Sequence, residues 1–321
     1  MECCQSTPIK RIQLSYVKNT YSPNAQTHQP KLIFEHHRLL GGSHSRRALG
    51  GASGVFVKLI ADTVAVSATA LAFWRDFTTF ICLMLLGLVT IPGKIKIKRS
   101  DWHAMAGMGA SLGLFHVFYN LGIMLNGAAV TTIQQAIMPV IVTVAARLLW
   151  QEALTARKIS AILLAFAGAV LVAGLPDVKS GDFSILGLLL GLLVPCLYAG
   201  WNLFGKKVRM HYDSIVVLIF AFGIATLLLL PLQFFVAQPW PIQPAAWLWF
   251  AGLIGLSTLS AFFLYAVGIG RLQASIVSIV LMSEIAFAVF YAYVLLGERL
   301  TLSQLLGSVL VVVGVLQVAG K

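Results

Sequence analysis

The 321-residue chain is 59% hydrophobic and 11% charged, and it carries a formal net charge of +12. About a quarter of the residues of an average soluble protein are charged, so the composition excludes an ordinary soluble domain and indicates an integral membrane protein. The basic residues lie between long apolar runs rather than on one amphipathic face. Their placement argues against a nucleic-acid-binding patch and makes the charge a signal of membrane topology.

Residues 1–47 are polar and basic and contain three prolines. This composition predicts a cytoplasmic tail without a packed core. An organelle transit peptide has similar chemistry and is the alternative interpretation of this segment.

Ten apolar segments follow the tail. A membrane-spanning helix needs about 20 apolar residues, and long continuous runs favour helices over the alternating strands of a barrel. We therefore expect an all-α integral membrane protein with ten transmembrane helices. The segments lie at approximately 48–65, 67–91, 102–124, 127–150, 156–174, 183–206, 214–237, 245–268, 272–296 and 301–320.

The second half of these segments repeats the first. Shifted back by 146 positions, Ala274 to Gly320 aligns with Ala128 to Gly174 without a gap. Each copy contains Glu-x-Leu-Thr, followed by a glycine thirteen residues after the threonine. A charged residue and a fixed glycine rarely recur by chance in an apolar sequence, so we expect two duplicated units, 48–174 and 183–320. We assign structural roles to the four shared residues, Glu152, Gly168, Glu298 and Gly314.

The distribution of Lys and Arg predicts the topology of the two units. With the N-terminus in the cytoplasm, the cytoplasmic side receives 19 of the 23 basic residues and the other side receives only Lys179 and Arg299. This imbalance places both termini in the cytoplasm. Each unit has an odd number of segments, so the units would enter the membrane with opposite polarity. Inverted repeats of this kind are typical of secondary transporters, whose substrate site lies near the midplane.

The first apolar segment is unusual. Only fourteen residues separate Arg47 from Asp62, and they include Lys58. This is short for a membrane span, and two interpretations stay open: a thin, tilted helix, or an atypical N-terminal sequence that supports the span poorly. Lys58 and Asp62 are four residues apart, which favours an ion pair on one face of a helix.

Glu284 is the strongest candidate for a functional residue. It lies about twelve residues from either end of its segment, or roughly 18 Å deep at 1.5 Å per residue. An ionised carboxylate at that depth costs on the order of 3 kcal/mol. It should therefore face a wet cavity, have a partner or stay protonated, and its role is either a proton or substrate site or a structural hydrogen bond between helices. Tyr291 continues its helical face.

Other polar residues within the segments complete the predicted path. Arg75 could hold a substrate carboxylate or phosphate with its planar guanidinium, or it could pair with a carboxylate that stabilises the fold. Small and polar residues recur at helical spacing on segments three and six, which suits either close packing or a cavity wall. Pro139 would free a backbone carbonyl within segment four. The remaining candidates for the path are Gln135, His116, Asn120, Tyr198, Asn202 and Tyr265.

Several motifs together are similar to one known family. They are Gly-Val-Phe-Val-Lys58, Phe-Trp-Arg75, Met-Pro139-Val and Leu-Gly-Glu298-Arg-Leu-Thr301. Over about residues 48 to 320 the chain resembles the EamA-type members of the drug/metabolite transporter superfamily. The resemblance implies a ten-helix fold and transport in general, but it does not indicate a substrate. The family usually has Glu-Pro in the ninth span, where this chain has Glu284-Ile285.

The combined prediction is a secondary active transporter in the plasma membrane (the cell inner membrane) that exports a small polar metabolite or drug by alternating access, with proton coupling at Glu284. The alternatives are a facilitated exchanger without proton coupling and a non-transporting membrane scaffold. The sequence contains no His-Glu-x-x-His motif and no Gly-x-x-x-x-Gly-Lys-Ser/Thr loop, so we do not expect an enzyme or an ATP-driven pump. We expect no metal and no cofactor. The expected partners are a small-molecule substrate and the lipid bilayer, and the chain is expected to be a monomer or a homodimer.

Overall fold

A computed structural model describes residues 52–174, 184–240, 242–296 and 300–319. Helices form this part of the chain, and no strand occurs within it. The predicted tail 1–47 and Glu298 lie outside the described residues. The helices are α1 Ala52–Thr63, α2 Ala68–Thr90, α3 Trp102–Gln135, α4 Met138–Trp150, α5 Ala156–Ala173, α6 Ile185–Gly191, α7 Leu193–Arg209, α8 Ser214–Leu229, α9 Pro244–Gly252, α10 Ser260–Arg271, α11 Ala274–Leu281, α12 Ser283–Leu296 and α13 Leu302–Ala319. Helix α3 is interrupted at Gly127, whose backbone is not helical, and the two parts of α3 belong to different predicted segments.

The described helices include many that are long and apolar enough to span a membrane. Seven helical stretches are long and apolar enough to cross a membrane, with mean hydropathies from 1.4 to 2.8. Two shorter apolar helices are Ala274–Phe287 and Leu302–Val318. Many large apolar side chains face outward, including Val89 and Leu148, which suits contact with lipid rather than water. The finer expectation of ten crossings in two inverted halves stays a prediction.

Helix α1 is short in the described part of the chain. Its 12 residues extend for about 18 Å at 1.5 Å per residue, less than the roughly 30 Å of a bilayer core. Residues 48–51, which belong to the predicted first segment, lie outside the described ranges. Both interpretations of the first segment therefore stay open.

The duplicated stretch contains a helix break at the same place in each copy. Helices α3 and α4 are separated at Ala136 and Ile137, and helices α11 and α12 are separated at Met282, which is 146 positions after Ala136. Amides near each break bond three residues back instead of four, as in Ile137 N to Gln134 O and Met282 N to Ile279 O. Pro139 lies in the first turn of α4, whereas the second copy makes its break without a proline.

Helices α5 and α13, the last helices of the two copies, pack closely and run antiparallel. A Cβ atom at Gly168 would lie 2.6 Å from the carbonyl oxygen of Gly307, and one at Gly314 would lie 2.8 Å from that of Ala161. The early part of α5 therefore contacts the late part of α13, and the reverse. Small residues allow backbones to approach this closely within a membrane.

Helices α2 and α8 form a second antiparallel pair. A Cβ atom at Gly87 would meet Ile219, and one at Gly223 would meet Phe80. Phe73, near the start of α2, shares an apolar cluster with Leu229 at the end of α8. The second helix of each predicted unit thus packs against its counterpart in the other unit.

Candidate functional site

A cavity of about 380 Å³ lies between side chains from both predicted units. The first unit contributes lining residues from α1, α2 and α3, and the second unit contributes them from α7, the 253–272 stretch, α11 and α12. The lining residues are Ser53, Arg75, Phe115, Tyr119, Gln135, Tyr198, Trp201, Leu256, Ser257, Ser260, Ala261, Phe262, Tyr265, Gly268, Leu272, Val277, Val280, Leu281, Ser283, Glu284 and Phe287.

Arg75 is buried at the polar end of this cavity. Its Nε donates to Thr258 Oγ1 at 3.0 Å, and its Nη2 donates to Ser53 Oγ at 3.3 Å. The Ser53 hydroxyl also contacts the Ser257 hydroxyl. Arg75 is thus fixed by α1 and by the 257–258 pair, while its Nη1 has no hydrogen-bond partner in the described part of the chain.

Glu284 lies at the same end, in the first turn of α12. The Ser53 hydroxyl and the Gln135 side chain hydrogen-bond to its carboxyl group, and Arg75 attracts it electrostatically. The helix is irregular at Met282, so Glu284 follows a tightened turn rather than lying in the middle of a regular helix. Glu284 therefore has hydrogen-bonding partners and the attraction of Arg75 in a cavity that both units line.

A stretch of π-helix over Leu253–Leu259 positions the contacts to Arg75. The Thr258 hydroxyl donates to Leu253 O, five residues back, at 2.7 Å. The wider turn lets neighbouring Ser257 and Thr258 both face α1 and α2. π-Helical turns occur often at functional sites.

His116 lies outside the cavity lining, although we placed it on the path. Its Nδ1 lies 2.6 Å from Asp76 Oδ1, and both side chains are fully buried. Phe222 and Phe262 lie beside the ring, with centroid distances of 6.3 and 5.9 Å. Asp76 follows Arg75 in α2 and faces α3, so the pair forms a buried polar contact behind the wall. Sequence reasoning missed Asp76, since nothing in the spacing links positions 76 and 116.

The other predicted path residues divide into two groups. Tyr198, Tyr265 and Gln135 line the cavity. Asn120 and Asn202 are fully buried and do not line it: their Nδ2 atoms donate to the backbone carbonyls of Ala68 and Tyr198, at 3.1 and 3.0 Å. The side chain of Tyr291 lies outside the described set.

Aromatic side chains form the middle of the cavity wall. Phe115 stacks on Tyr198 with ring centroids 4.5 Å apart. Trp201 lies 5.1 Å from Tyr265 and 5.3 Å from Phe262. Sequence reasoning did not single out Phe115 and Phe262, nor Ser53 and Ser257 at the polar end. In an apolar helix such residues look the same whether they face the cavity, a neighbouring helix or lipid.

Glu152 links the two predicted units. Its carboxylate accepts hydrogen bonds from the backbone amides of Ala274 at 2.9 Å and Ser275 at 3.3 Å, and it also contacts the Ser275 hydroxyl. The Lys158 ammonium lies 3.6 Å away. A residue of the first unit therefore caps the N-terminus of α11 in the second, where a negative charge is favoured.

Lys58 and Asp62 form the ion pair expected from their spacing, with Nζ 3.0 Å from Oδ2. Asp62 is largely exposed, with 61% of its side chain accessible. Among the described residues, no group of three or more His, Cys, Asp or Glu side chains could hold a metal ion. Among the described residues that line the cavity, Arg75 and Glu284 are the charged ones.

Comparisons with known proteins agree with a transporter. The chain is 25% identical over 241 residues to an uncharacterized transporter from Archaeoglobus fulgidus, covering 74% of this chain and 84% of that protein. It is also 25% identical over 227 residues to the uncharacterized transporter YoaV from Bacillus subtilis, covering 69% and 77%. The crystal structure of a protein matches 88% of this chain and 96% of its own with a TM-score of 0.68 and 18% identity, which shows a shared fold.

The family model for the EamA-like transporter family matches this chain twice, over residues 48–174 and 185–320. The two matches cover most of the chain and correspond to the two copies found in the sequence. The apolar helices and the transporter relatives agree with an integral, multi-pass membrane protein. The chain belongs to the EamA-like transporter family.

Proposed function

We propose that the chain is a secondary active transporter that moves a small polar metabolite through the cavity between its two units by alternating access. The observation that carries the proposal is the placement of Arg75 from the first unit and Glu284 from the second at one end of the same cavity. Residues from both units must separate or rotate for such a cavity to open to either side. Midplane sites at the interface of two repeats are typical of secondary transporters.

Inverted topology is part of the proposal. Counterpart helices contact each other in antiparallel pairs, namely α2 with α8 and α5 with α13. Counterparts that lie five crossings apart in the chain, with four crossings between them, are expected to be antiparallel. With α1 and the two shorter apolar helices added to the seven long ones, the proposal has ten crossings.

Glu284 is the group that we propose couples transport to protons. An unpaired carboxylate within the bilayer is costly, on the order of 3 kcal/mol. Ser53, Gln135 and Arg75 lower this cost in the state described here. Opening of the cavity would change these contacts and hence the ease of protonation. A proton taken up on one side and released on the other would supply the driving force.

The orientation in the proposal follows the basic residues. Both termini lie in the cytoplasm, and the membrane is the plasma membrane. The cavity side near Leu272 then points toward the cytoplasm, since this residue follows the end of α10.

Metabolite comparison tests the proposal. Cells that lack the chain are compared with cells that overproduce it, by measuring each metabolite inside and outside the cell. We expect the amounts of a restricted set of small polar metabolites to rise outside the overproducing cells and to fall inside them. The isosteric variant Glu284→Gln should reduce this change by about tenfold or more, because one charged group is lost from the coupling site.

The matched control for Glu284 is Asp62→Asn. It removes an acid of the same kind at an exposed position, and we expect it to transport like the wild type. Equal metabolite levels in cells with and without the chain would contradict transport. Undiminished transport by Glu284→Gln between about pH 5.5 and 8 would remove the coupling role and favour the facilitated exchanger.

A further inference from the structure

We infer that the cavity binds a small aromatic monocarboxylate, with the carboxylate on Arg75 and the flat ring against the aromatic wall. This inference rests on the proposed function and names its substrate class. Hydrogen-bonding groups that lack partners, the arrangement of the rings and the balance of charge each support it.

Unpartnered donors on the cavity-lining side chains point to a ligand rich in acceptors. Arg75 Nη1, Trp201 Nε1 and Tyr265 Oη have no hydrogen-bond partner in the described part of the chain. Their side chains are 2%, 0% and 4% exposed, so bulk water does not satisfy them. Guanidinium and indole nitrogens can only donate, and a phenol can donate. Since a buried polar group without a partner is unfavourable, a ligand acceptor that reaches one of these donors would be favourable.

The ligand's charged group is matched best by Arg75. A guanidinium offers two parallel N–H groups that fit the two oxygens of a carboxylate. The Nε and Nη2 atoms donate to Thr258 and Ser53 at 3.0 and 3.3 Å, which fixes the plane of the guanidinium. The parallel pair left for a carboxylate is one N–H of Nη1, which has no partner in the described part of the chain, and the second N–H of Nη2. The fixed plane reduces the entropy that binding would otherwise cost.

The balance of charge limits the ligand to one negative charge. Among the described cavity-lining residues, Arg75 is the one cation and Glu284 is the one acid. A phosphomonoester would bring close to two negative charges next to Glu284, with a single cation to balance them. With Glu284 protonated, a monocarboxylate balances the charge of Arg75, whereas a phosphomonoester leaves about one negative charge in excess, so the pair of charged residues favours the monocarboxylate.

The aromatic wall determines the shape of the rest of the ligand. Phe115 and Tyr198 stack on one another, while the Trp201 ring contacts those of Phe262 and Tyr265 at centroid distances of 5.3 and 5.1 Å. Aromatic rings pack well by offset stacking or edge-to-face contact at centroid distances of about 4.5–7 Å. The cavity volume of about 380 Å³ is near the lower end of the roughly 300–1,000 Å³ range of ligand pockets. A molecule with one or two fused rings therefore suits it better than a large drug.

Binding to the purified full-length protein tests this inference with defined probes. The probes are benzoate and indole-3-carboxylate, compared with benzylamine, benzamide and cyclohexanecarboxylate, which change the charge, remove the charge and remove the flat ring. We expect the two aromatic acids to bind about tenfold or more tightly than each comparison compound. Equal binding by benzamide, benzylamine or cyclohexanecarboxylate, or no binding by either aromatic acid, would overturn the inference.

Variants then locate the site. Arg75→Gln should weaken benzoate binding by about 10- to 100-fold, because it removes a charge-assisted contact, whereas Arg99→Gln removes an exposed cation and should bind like the wild type. If Arg75→Gln does not fold, Trp201→Phe keeps the ring and removes one donor, with an expected loss of a few-fold. Unchanged benzoate binding by a folded Arg75→Gln or Trp201→Phe variant would overturn the assigned site.

Binding and transport can fail separately. If the metabolite comparison detects transport but the aromatic acids do not bind, the substrate class is wrong and the proposed function stands. If the aromatic acids bind at Arg75 but no metabolite moves, the proposed function is wrong and the binding site stands.

Discussion

Gly168→Leu is expected to lower the free energy of unfolding strongly. A Cβ atom at this position would lie 2.6 Å from the carbonyl oxygen of Gly307 and 2.7 Å from Val311 Cγ2. A backbone oxygen cannot move out of the way as the end of a side chain can, so α5 and α13 would have to separate along their contact. Overpacking costs about 1–3 kcal/mol and sometimes more, and we expect a loss of roughly 3 kcal/mol here. Equilibrium unfolding in mixed micelles measures it.

The control for the glycine contact is Gly255→Ala. A Cβ atom there would meet nothing within 4 Å, so the variant should unfold within about 1 kcal/mol of the wild type. Gly168→Ala should give an intermediate loss. A wild-type stability for Gly168→Leu would show that α5 and α13 do not pack as described.

Glu152→Ala is expected to destabilise the fold by roughly 3 kcal/mol. The carboxylate caps α11 through the amides of Ala274 and Ser275, and Lys158 lies 3.6 Å from it. Glu152 and Lys158 are almost fully buried, at 8% and 7% side-chain exposure. Loss of one partner of a buried pair typically costs about 3–5 kcal/mol, because the other charge stays buried without compensation. Glu152→Gln keeps an acceptor for one amide and should lower the free energy of unfolding by less than Glu152→Ala does.

Asp62→Ala is the matched control, since Asp62 also pairs with a lysine but is largely exposed. Exposed ion pairs contribute about 0–1 kcal/mol. Equal losses for Glu152→Ala and Asp62→Ala, measured by the same unfolding experiment, would show that Glu152 does not link the two units as a buried cap.

Charged residues within apolar, membrane-spanning segments were the most informative part of the sequence. Glu284 and Arg75 are charged within apolar segments, and the structure places both in one cavity. His116, Asn120 and Asn202 are also polar and also lie within segments, yet they hydrogen-bond to Asp76 and to backbone carbonyls outside the cavity lining. Burying a charge costs far more than burying a neutral polar group, so a neutral polar residue need not face a cavity. Periodicity alone cannot show which neighbour a helix will provide.

The duplication predicted which residues are equivalent, but not how their helices bend. Alignment of the copies matched Ala136 with Met282 only as apolar residues. Both helices break there, although only the first has a nearby proline, Pro139. This break places Glu284 in the first turn of α12. No proline marks the break in the second copy, so that segment contains no evident signal for it.

Sided labelling of two loops tests the central claim, that two oppositely oriented units enclose the cavity. In a chain without Cys3, Cys4, Cys82 and Cys196, single cysteines are placed by Ser100→Cys after α2 and Gln243→Cys before α9, both at exposed positions. A membrane-impermeant thiol reagent added to intact cells should label position 243 and spare position 100 until the membrane is opened. Labelling of both positions from the same side would show that the units cross the bilayer in the same direction.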